Sequence, residues 1–557
     1  MTLADYRKPL GTTNGERVVP PTDKDFELSP GGLDDGRRKA ALDKLATYLD
    51  ERKRFFLGYQ TNQELGNRKD VSRFLDYNVN NVGDPFADSH FTMHTRPAER
   101  AVLDYYAKLW HAHPRTIDRK TGTLARDAYW GYVLTMGSSE GNTYGLWNAR
   151  DYLSGKTLMR EPRTDHHAQY VWVQDTAPPE NLNAYSPVCF YSADTHYSVA
   201  KAIRVLDIPS FYELGTKRYP LANPLAPGKP WSHEVPSDED GRINVDALKK
   251  LVAFFAGMGH PILVNLNYGS TFKGAYDDVE TICAELRKIF RKYRLDRREV
   301  RYGRDADGNE LVDVRTGYWI HVDGALGATY GPFLEKAIEA KRISDGDARL
   351  PKFDFRIPEV CSIVTSGHKY PGASWPCGVF MTKAKLQMLP PEQPAYIGSP
   401  DTTFGGSRNA FSPLIMWDFL ARHSEQVQID MIVKAADLAD YAVRELRRLG
   451  ANWAAARSPL ALSVWFRQPP ADIVAKYSLS TVPMPNEKGK VDLFAHLYVM
   501  PHVTKEMINH LVADLKDVRP AKAEHVVDGT DVLAYADGFA HDDVARLGLV
   551  RTWGHGF

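Results

Sequence analysis

Two patterns of apolar positions alternate along the central part of this 557-residue chain. From about residue 130, short and nearly continuous runs of β-branched and aromatic residues recur, as strands buried on both faces require. The runs are YVLTM, YVWVQ, VCFY, ILVNLN, YWIHVD, EVCSIVT and GVFMT. Between them lie stretches with helical periodicity, such as DDVETICAELRKIFRKY, where Val279, Ile282 and Leu286 share one face. This alternation predicts an α/β fold with a mostly parallel sheet.

The two ends of the chain follow other patterns. The first 35 or so residues carry proline and glycine pairs without periodicity, which predicts an extended arm, and the following GRRKAALDKLATYLDERKRF predicts a helix. A long helical stretch begins at Phe411 and ends at Gly450, and ALSVWF, AHLYVM and TKEMINHLVADLKD after it predict a small α+β domain. The predicted domains are an N-terminal arm with helices (1–110), a large domain (111–410) and a small C-terminal domain with a linking helix (411–557).

Composition narrows the class of partner. With 70 basic and 70 acidic side chains, the chain has no net charge that would attract nucleic acid or a membrane surface, so a small-molecule partner is expected. We find no apolar run of membrane-spanning length and no signal-peptide pattern, which predicts a soluble, cytoplasmic protein. The four cysteines are far apart in sequence, as reduced thiols would be.

Residues capable of chemistry follow three of the predicted strands. Lys369 lies in TSGHKYPG, Asp323 ends YWIHVD, and LTMGSSEGN leads from a strand into a helix. Ligands collect at the carboxyl ends of parallel strands, and a glycine-serine turn before a helix offers N–H groups and hydroxyls to a phosphate. Taken singly, these motifs also fit a surface lysine, a bracing aspartate and an ordinary helix cap.

The combination points to pyridoxal 5′-phosphate. Lys369 would form a Schiff base with the cofactor's aldehyde, Asp323 would hold the pyridinium N–H, and His196 in DTHYS would stack on the ring. GSSEGN matches neither GxGxxG nor the phosphate loop of nucleotide hydrolases, which argues against a dinucleotide or ATP.

The set GSSEGN, DTHYS, HVDGALG, SGHK and YIGSPDTTFGGSRN, in that order, resembles the group II pyridoxal-phosphate amino-acid decarboxylases, most closely their histidine-decarboxylase-like branch. The resemblance covers roughly residues 55–515. It implies a carboxy-lyase of fold type I, with a large domain on a mostly parallel seven-stranded sheet, a small C-terminal α+β domain and an N-terminal arm. It implies catalytic roles for Lys369, His196, Asp323 and Tyr396. It implies cofactor contacts by Ser138, Ser139, His196, Thr271, Asp323, Ala325, Ser366, His368 and Lys369.

The same resemblance implies a homodimer with shared active sites. The arm and first helix would wrap the partner, and YIGSPDTT would cross over with Ser399 near the substrate. Tyr396 is a candidate for the acid that returns a proton to Cα. Gln60 and Asn81 resemble edges of the substrate pocket, although ordinary loop hydrogen bonding explains these two equally well.

The substrate is expected to be an aliphatic amino acid. Added segments around 155–187, 215–240 and 300–316 resemble those of actinobacterial decarboxylases that act on methionine or valine. L-Methionine, giving 3-methylthiopropylamine and CO2, is the first expectation, with L-valine, L-leucine or L-histidine as alternatives. An aminotransferase or aldehyde synthase on the same fold is a more remote alternative.

Histidine pairs raise the question of a metal. His111 and His113 in HAHP, and His166 and His167 in TDHH, come without a convincing third ligand in the sequence. We therefore expect no metal site.

Overall fold

The computed structural model describes residues 18–66, 69–118, 122–161, 169–305, 307–344, 349–388, 394–485 and 491–521. The helices are α1 (Asp35–Lys53), α2 (Lys69–Ser72), α3 (Arg96–Leu109), α4 (Ser138–Leu153), α5 (Tyr197–Val205), α6 (Phe211–Arg218), α7 (Val245–Gly257), α8 (Val279–Lys292), α9 (Gly327–Glu339), α10 (Phe411–Arg422), α11 (Glu425–Arg448), α12 (Ala471–Tyr477) and α13 (Lys505–Leu515). The strands are β1 (Tyr129–Leu134), β2 (Lys156–Glu161), β3 (Gln169–Gln174), β4 (Val188–Phe190), β5 (Ile262–Asn267), β6 (Arg298–Arg304), β7 (Glu310–Arg315), β8 (Tyr318–Asp323), β9 (Val360–Ser366), β10 (Gly378–Lys383), β11 (Ser463–Arg467), β12 (Ser480–Pro485) and β13 (Val491–Tyr498).

The chain divides into two compact units. The small unit takes the described parts of Met1–Gln63, Ala435–Arg457 and Leu462–Phe557, and the large unit takes those of Glu64–Lys434 and Ser458–Ala461. This grouping combines the N-terminal segment with the C-terminal one. The three-part division at residues 110 and 410 therefore stays a prediction.

The large unit is built on a central sheet. Among the described residues it has six strands, in the order β1–β10–β9–β8–β5–β4. Strands β4, β5, β8 and β9 run parallel, and β10 is antiparallel to both β9 and β1. The largely parallel α/β fold predicted from the alternating pattern is confirmed.

The strand count corrects the prediction of seven. Six of the seven apolar runs enter the central sheet in the described part of the chain, but YVWVQ forms β3, which pairs antiparallel with β2 in a separate two-stranded sheet. Val171, Trp172 and Val173 are only half-buried, whereas every residue of β1, β5 and β9 is buried. A short apolar run predicts a strand but not the strand with which it pairs, and the strand that pairs with β3 is β2.

Strand direction brings several strand ends to one edge. Because β1 and β9 are both antiparallel to β10, β1 points the same way as the parallel strands. The register places Asn267 beside Asp323, and both Leu134 and Ser366 beside Gly378. The carboxyl ends of β1, β5, β8 and β9 therefore meet at one edge, the position where ligands bind in open α/β sheets.

Helix α4 follows β1 and is buried along most of its length. Leu146, Ala149 and Leu153 on one face pack in an apolar cluster with Leu263 and Trp319 of the sheet. This packing fixes the start of α4, and with it the glycine-serine turn, beside the carboxyl ends of the strands.

The small unit confirms the predicted α+β architecture. Its antiparallel sheet has the order β11–β13–β12, and β12 is a strand that the sequence reading missed. Helix α13 begins after Thr504, whose side chain accepts a hydrogen bond from the Met507 N–H. Residues 1–17 of the predicted arm and residues 522–557 lie outside the described residues.

The helical stretch after Phe411 consists of two helices rather than one. Helix α10 ends at Arg422, and Ser424 Oγ accepts a hydrogen bond from Val427 N at 3.3 Å to begin α11. Gly450 lies beyond the end of α11 with a φ of +112°, a conformation that favours glycine. No helix in the part of the chain that the structure describes is long and apolar enough to cross a membrane.

Candidate active site

A cavity of about 240 Å³ opens at the shared strand edge of the large unit. It is lined by nine of the residues predicted from the sequence, namely Ser138, Ser139, His196, Thr271, Asp323, Ala325, Ser366, His368 and Lys369. These residues follow five different strands of the sheet, so the fold itself brings them together. The cavity is therefore the candidate active site.

Lys369 is half-buried just after β9. In the described part of the chain its amine forms no hydrogen bond or ion pair, and burial lowers the pKa of Lys369 while the negative charge of Asp323 opposes that shift. An amine that is partly withdrawn from water and has no partner carries a desolvation cost. Its position is explained if it binds a ligand covalently.

A polar cradle lies where β1 leads into α4. Ser138 N donates to Ser366 Oγ at 3.1 Å, and the two hydroxyl oxygens are 2.8 Å apart. Gly137 has a φ of +69°, and a Cβ there would lie 2.6 Å from Cε1 of His368. Burial, followed by the charge of Lys369, lowers the pKa of His368 to about 4, so His368 is neutral at physiological pH. The hydroxyls and the N-terminus of α4 suit an anion.

Asp323 is held from two sides at the tip of β8. Its Oδ1 accepts from the Ala325 N–H at 3.1 Å, and its Oδ2 accepts from Asn142 Nδ2 at 2.8 Å. The remaining lone pairs face the cavity, which suits a cationic N–H donor.

His196 is the N-cap residue of α5. Its Nδ1 accepts from Ser198 N at 3.2 Å and lies 2.8 Å from Ser198 Oγ. Burial lowers the pKa of His196, and Asp323 acts in the opposite direction. The capping contact fixes the ring plane at the cavity wall, as the predicted stacking role requires.

The four other predicted residues are not among those that line the cavity. Gln60 is buried in the small unit, and Tyr396 is 83% exposed. Asn81 uses its side chain within the fold, since Nδ2 donates to Glu99 Oε2 and Oδ1 accepts from Thr95 N, each at 2.8 Å. Ser399 Oγ accepts from Asp84 N at 3.2 Å. Within one chain, these residues take no part in the cavity, and their proposed roles depend on a partner subunit or on substrate.

The sequence reading missed several residues of the site. Asn142, Asn267 and Tyr197 line the cavity but were not nominated. Asn142 lies one helical turn after Ser138, on the face that carries the cradle, and Asn267 ends a strand in register with Asp323. Helical spacing and strand-end position were the signals that could have found them. His166 and His167 lie outside the described residues.

Comparison with known proteins identifies the family. The Pyridoxal-dependent decarboxylase conserved domain matches residues 82–403, which is more than half of the chain, and this chain belongs to that family. It is a pyridoxal-phosphate-dependent carboxy-lyase of fold type I. Among solved structures, the L-methionine decarboxylase of Streptomyces sp. 590 is similar at 46% identity with a TM-score of 0.80, over 90% of this chain and 99% of that one.

Two plant enzymes are more distant relatives. Serine decarboxylase 2 of Oryza sativa subsp. japonica is 26% identical over 87% of this chain and 80% of its own length. Histidine decarboxylase of Solanum lycopersicum is 27% identical over 85% of this chain and 87% of its own length. The predicted likeness to the histidine-decarboxylase-like branch is thus confirmed.

Proposed function

We propose that this enzyme converts L-methionine to 3-methylthiopropylamine and CO2, and that it does so as a homodimer. The observation that carries the substrate is the 46% identity, over 90% of this chain, to a Streptomyces enzyme that is an L-methionine decarboxylase. The plant serine and histidine decarboxylases, at 26% and 27% identity, are considerably more distant.

The residues of the cavity fit pyridoxal phosphate. Lys369 would supply an unpaired amine at the cavity for the aldehyde, Asp323 would supply a carboxylate for the ring nitrogen, and Ser138, Ser139 and His368 would form a cradle for the phosphate. The bound cofactor supplies an electron sink for the pair of electrons released when the bond between Cα and the carboxylate breaks.

The chain's own residues set up that reaction. Asp323 keeps the ring nitrogen protonated, because a carboxylate beside a cation favours the charged form. His196 holds the plane of the ring through its cap on α5. Burial lowers the pKa of His196, which favours the neutral form of its imidazole. A proton then has to reach Cα to complete the amine.

We assign that proton to Tyr396 of the opposite subunit. Its side chain is 83% exposed in the single chain and lies outside the chain's own cavity. Exposed apolar side chains support a dimer: Leu42 and Leu49 on α1 are exposed by 50% and 54%, and Tyr197 at the cavity is exposed by 68%. Large apolar side chains exposed in this way favour a partner surface.

The substrate proposal is tested by incubating the purified protein and cofactor with each common amino acid and measuring CO2 and amine together. Methionine should give the highest kcat/KM, with equal amounts of CO2 and 3-methylthiopropylamine. Leucine should react more slowly, since apolar pockets separate close analogues by about 1–3 kcal/mol. A higher kcat/KM for histidine, valine or leucine would refute methionine, and a keto acid or aldehyde without an amine would refute decarboxylation.

Shared active sites are tested by subunit mixing. Lys369→Ala and Tyr396→Phe should each be inactive as homodimers. If Tyr396 acts across the interface, each site takes Lys369 from one subunit and Tyr396 from the other. A mixed dimer then has one site with both substitutions and one site with neither, so activity should return on mixing. If mixing restores nothing, although co-purification of differently tagged subunits shows that mixed dimers form, Tyr396 does not act in the neighbouring site.

The location in the cell also remains a proposal. All four cysteines are buried and free, which suits the reducing conditions of a cytoplasm. Fractionation of cells that produce the protein, followed by a decarboxylation assay, should recover the activity in the cytoplasmic fraction.

A further inference from the structure

A chain of hydrogen bonds runs behind the cavity, through residues that no step of the mechanism uses. Trp319 Nε1 donates to Ser362 Oγ at 3.0 Å, and Ser362 Oγ lies 2.7 Å from His321 Nδ1. His321 Nε2 lies 2.9 Å from Asn142 Oδ1. Asn142 Nδ2 then reaches Asp323 at 2.8 Å and Ser198 Oγ at 3.0 Å.

The direction of every bond follows from its two ends. A carboxylate only accepts, so the amide nitrogen of Asn142 must face Asp323 and its oxygen must face His321. His321 Nε2 therefore donates. An indole N–H only donates, so Ser362 accepts from Trp319 and gives its own proton to His321 Nδ1. One donor and one acceptor nitrogen make His321 neutral, and burial lowers its pKa to about 4.

The other end of the chain reaches His196. Ser198 Oγ accepts from Asn142, so its own proton is free for His196 Nδ1, which also accepts from the Ser198 N–H. Nδ1 is thereby fixed as an acceptor. The ring proton of neutral His196 then resides on Nε2.

His321 is closely packed on all sides. His321, Asn142 and Ser362 are each 0% exposed, and the strand register pairs His321 with Ser362. A Cβ at position 145 would lie 2.9 Å from Cε1 and 3.0 Å from Nδ1 of His321, so only glycine lets α4 approach this ring.

We infer that His321 and Asn142 are positioning residues, which together hold Asp323 in line with the cofactor's ring nitrogen and fix the tautomer of His196. His321 locks the amide of Asn142, and the locked amide donates one N–H to Asp323 and the other to Ser198, whose hydroxyl reaches His196. The inference rests on the proposed roles of Asp323 and His196. It adds an outer layer to the site that neither the motifs nor the family resemblance assigned.

The test compares three holoenzyme variants by the pH at which the visible absorbance of the bound cofactor changes without substrate. In Asn142→Leu and His321→Phe, Asp323 is held less firmly, so it stabilises the protonated ring nitrogen less well. Loss of that positive charge raises the pKa of the lysine nitrogen that is bound to the cofactor. The midpoint should rise by about one pH unit, the effect of one hydrogen bond to a charged group. In His321→Gln the amide can donate to Asn142 and accept from Ser362, so the midpoint should stay near that of the unaltered enzyme.

Trp319→Phe is the matched control. It replaces the buried indole with a smaller phenyl ring and removes a hydrogen bond at the far end of the chain, but leaves Ser362 able to donate, so it should lower stability without moving the midpoint. The ionisable groups that line the cavity beside the chain are Asp323, His196, Tyr197, Lys369 and His368, and Tyr152 packs against Trp319. All of them are retained in every variant.

Cofactor retention supplies the second readout. Asn142→Leu and His321→Phe should release cofactor about tenfold faster than Trp319→Phe does. The inference is overturned if these two variants show the midpoint and release rate of Trp319→Phe, or if His321→Gln behaves as His321→Phe does. Failure of the proposed function is a separate result, since it would appear as a keto acid or aldehyde in place of CO2 and amine when the unaltered enzyme is given methionine.

Discussion

The most deeply buried ion pair of the large unit gives a stability prediction with a matched control. Glu99 on α3 and Arg408 form a salt bridge in which the side chains are 0% and 1% exposed. Glu99 also accepts from Val133 N at 3.0 Å and from Asn81 Nδ2 at 2.8 Å. Arg408 donates to Gly83 O at 3.1 Å, so the pair joins segments that are 309 residues apart in sequence.

The expected magnitude follows from burial. Glu99→Gln keeps the shape but leaves the charge of Arg408 buried without a counterion and turns an amide towards N–H donors. Breaking a buried pair in this way costs about 3–5 kcal/mol. The control is Glu310→Gln in the β6–β7 hairpin, where Glu310 and Arg301 are 49% and 54% exposed and 3.2 Å apart. An exposed pair contributes about 0.2–1 kcal/mol.

The assay is urea unfolding of both variants at one fixed cofactor concentration, because bound cofactor itself raises the apparent stability. The midpoint of the large unit's transition should fall severalfold more in Glu99→Gln than in Glu310→Gln. Adding Arg408→Met to Glu99→Gln should recover part of the loss, since the double variant buries no unpaired charge. Equal midpoints for the two single variants would refute the reasoning, as would further loss in the double variant.

Three shorter predictions concern the site. Lys369→Ala should abolish both decarboxylation and the visible absorbance of bound cofactor that survives gel filtration. The control variant Lys201→Ala, at an exposed lysine, should keep both. Retained absorbance in Lys369→Ala would contradict the covalent role. Gly137→Ala should weaken cofactor binding at least about tenfold in a fluorescence titration, because the new Cβ clashes with His368 and the backbone is strained at a φ of +69°. The control is Gly228→Ala, where the φ is +74° but the surrounding space is open. This variant has the backbone strain without the clash and should bind the cofactor normally. Burial lowers the folded-state pKa of His321 from 6.5 to about 4, so the unfolded chain takes up its proton first as the pH falls, and His321 should cost about 3 kcal/mol of stability between pH 6.5 and 4. Urea midpoints measured from pH 7 to pH 4 should therefore fall less steeply in His321→Gln, and parallel slopes would contradict the assignment.

The sequence predicted those parts of the fold that depend on local pattern. Continuous apolar runs identified the strands of the central sheet, and polar residues just after them identified Lys369, Asp323 and the cradle around Ser138. This works because strand ends in a parallel sheet share one edge, so that residues far apart in sequence converge without any long-range information.

The errors concern the partners of elements, one missed strand (β12) and one helix boundary. YVWVQ is a strand, as predicted, but it pairs with β2 outside the central sheet. The helical period after Phe411 is continuous, yet Ser424 caps a new helix within it. Asn142 was quoted within GSSEGN but not nominated, because its importance comes from Asp323 and His321 across the fold. Periodicity states which face is buried and says nothing of what that face meets.

The site resolves a conflict between burial and charge in two ways. Lys369 is half-buried and its amine has no hydrogen bond or ion pair among the described residues, a cost that a bound ligand would offset. Behind it, Asp323 is held by neutral donors, namely a backbone N–H and an amide, rather than by a fixed cation. An arginine in that place would satisfy the carboxylate and compete with the ring nitrogen. Neutral donors orient the carboxylate and leave its charge for the cofactor, which explains why the layer behind the site is made of an amide, a neutral imidazole and a hydroxyl.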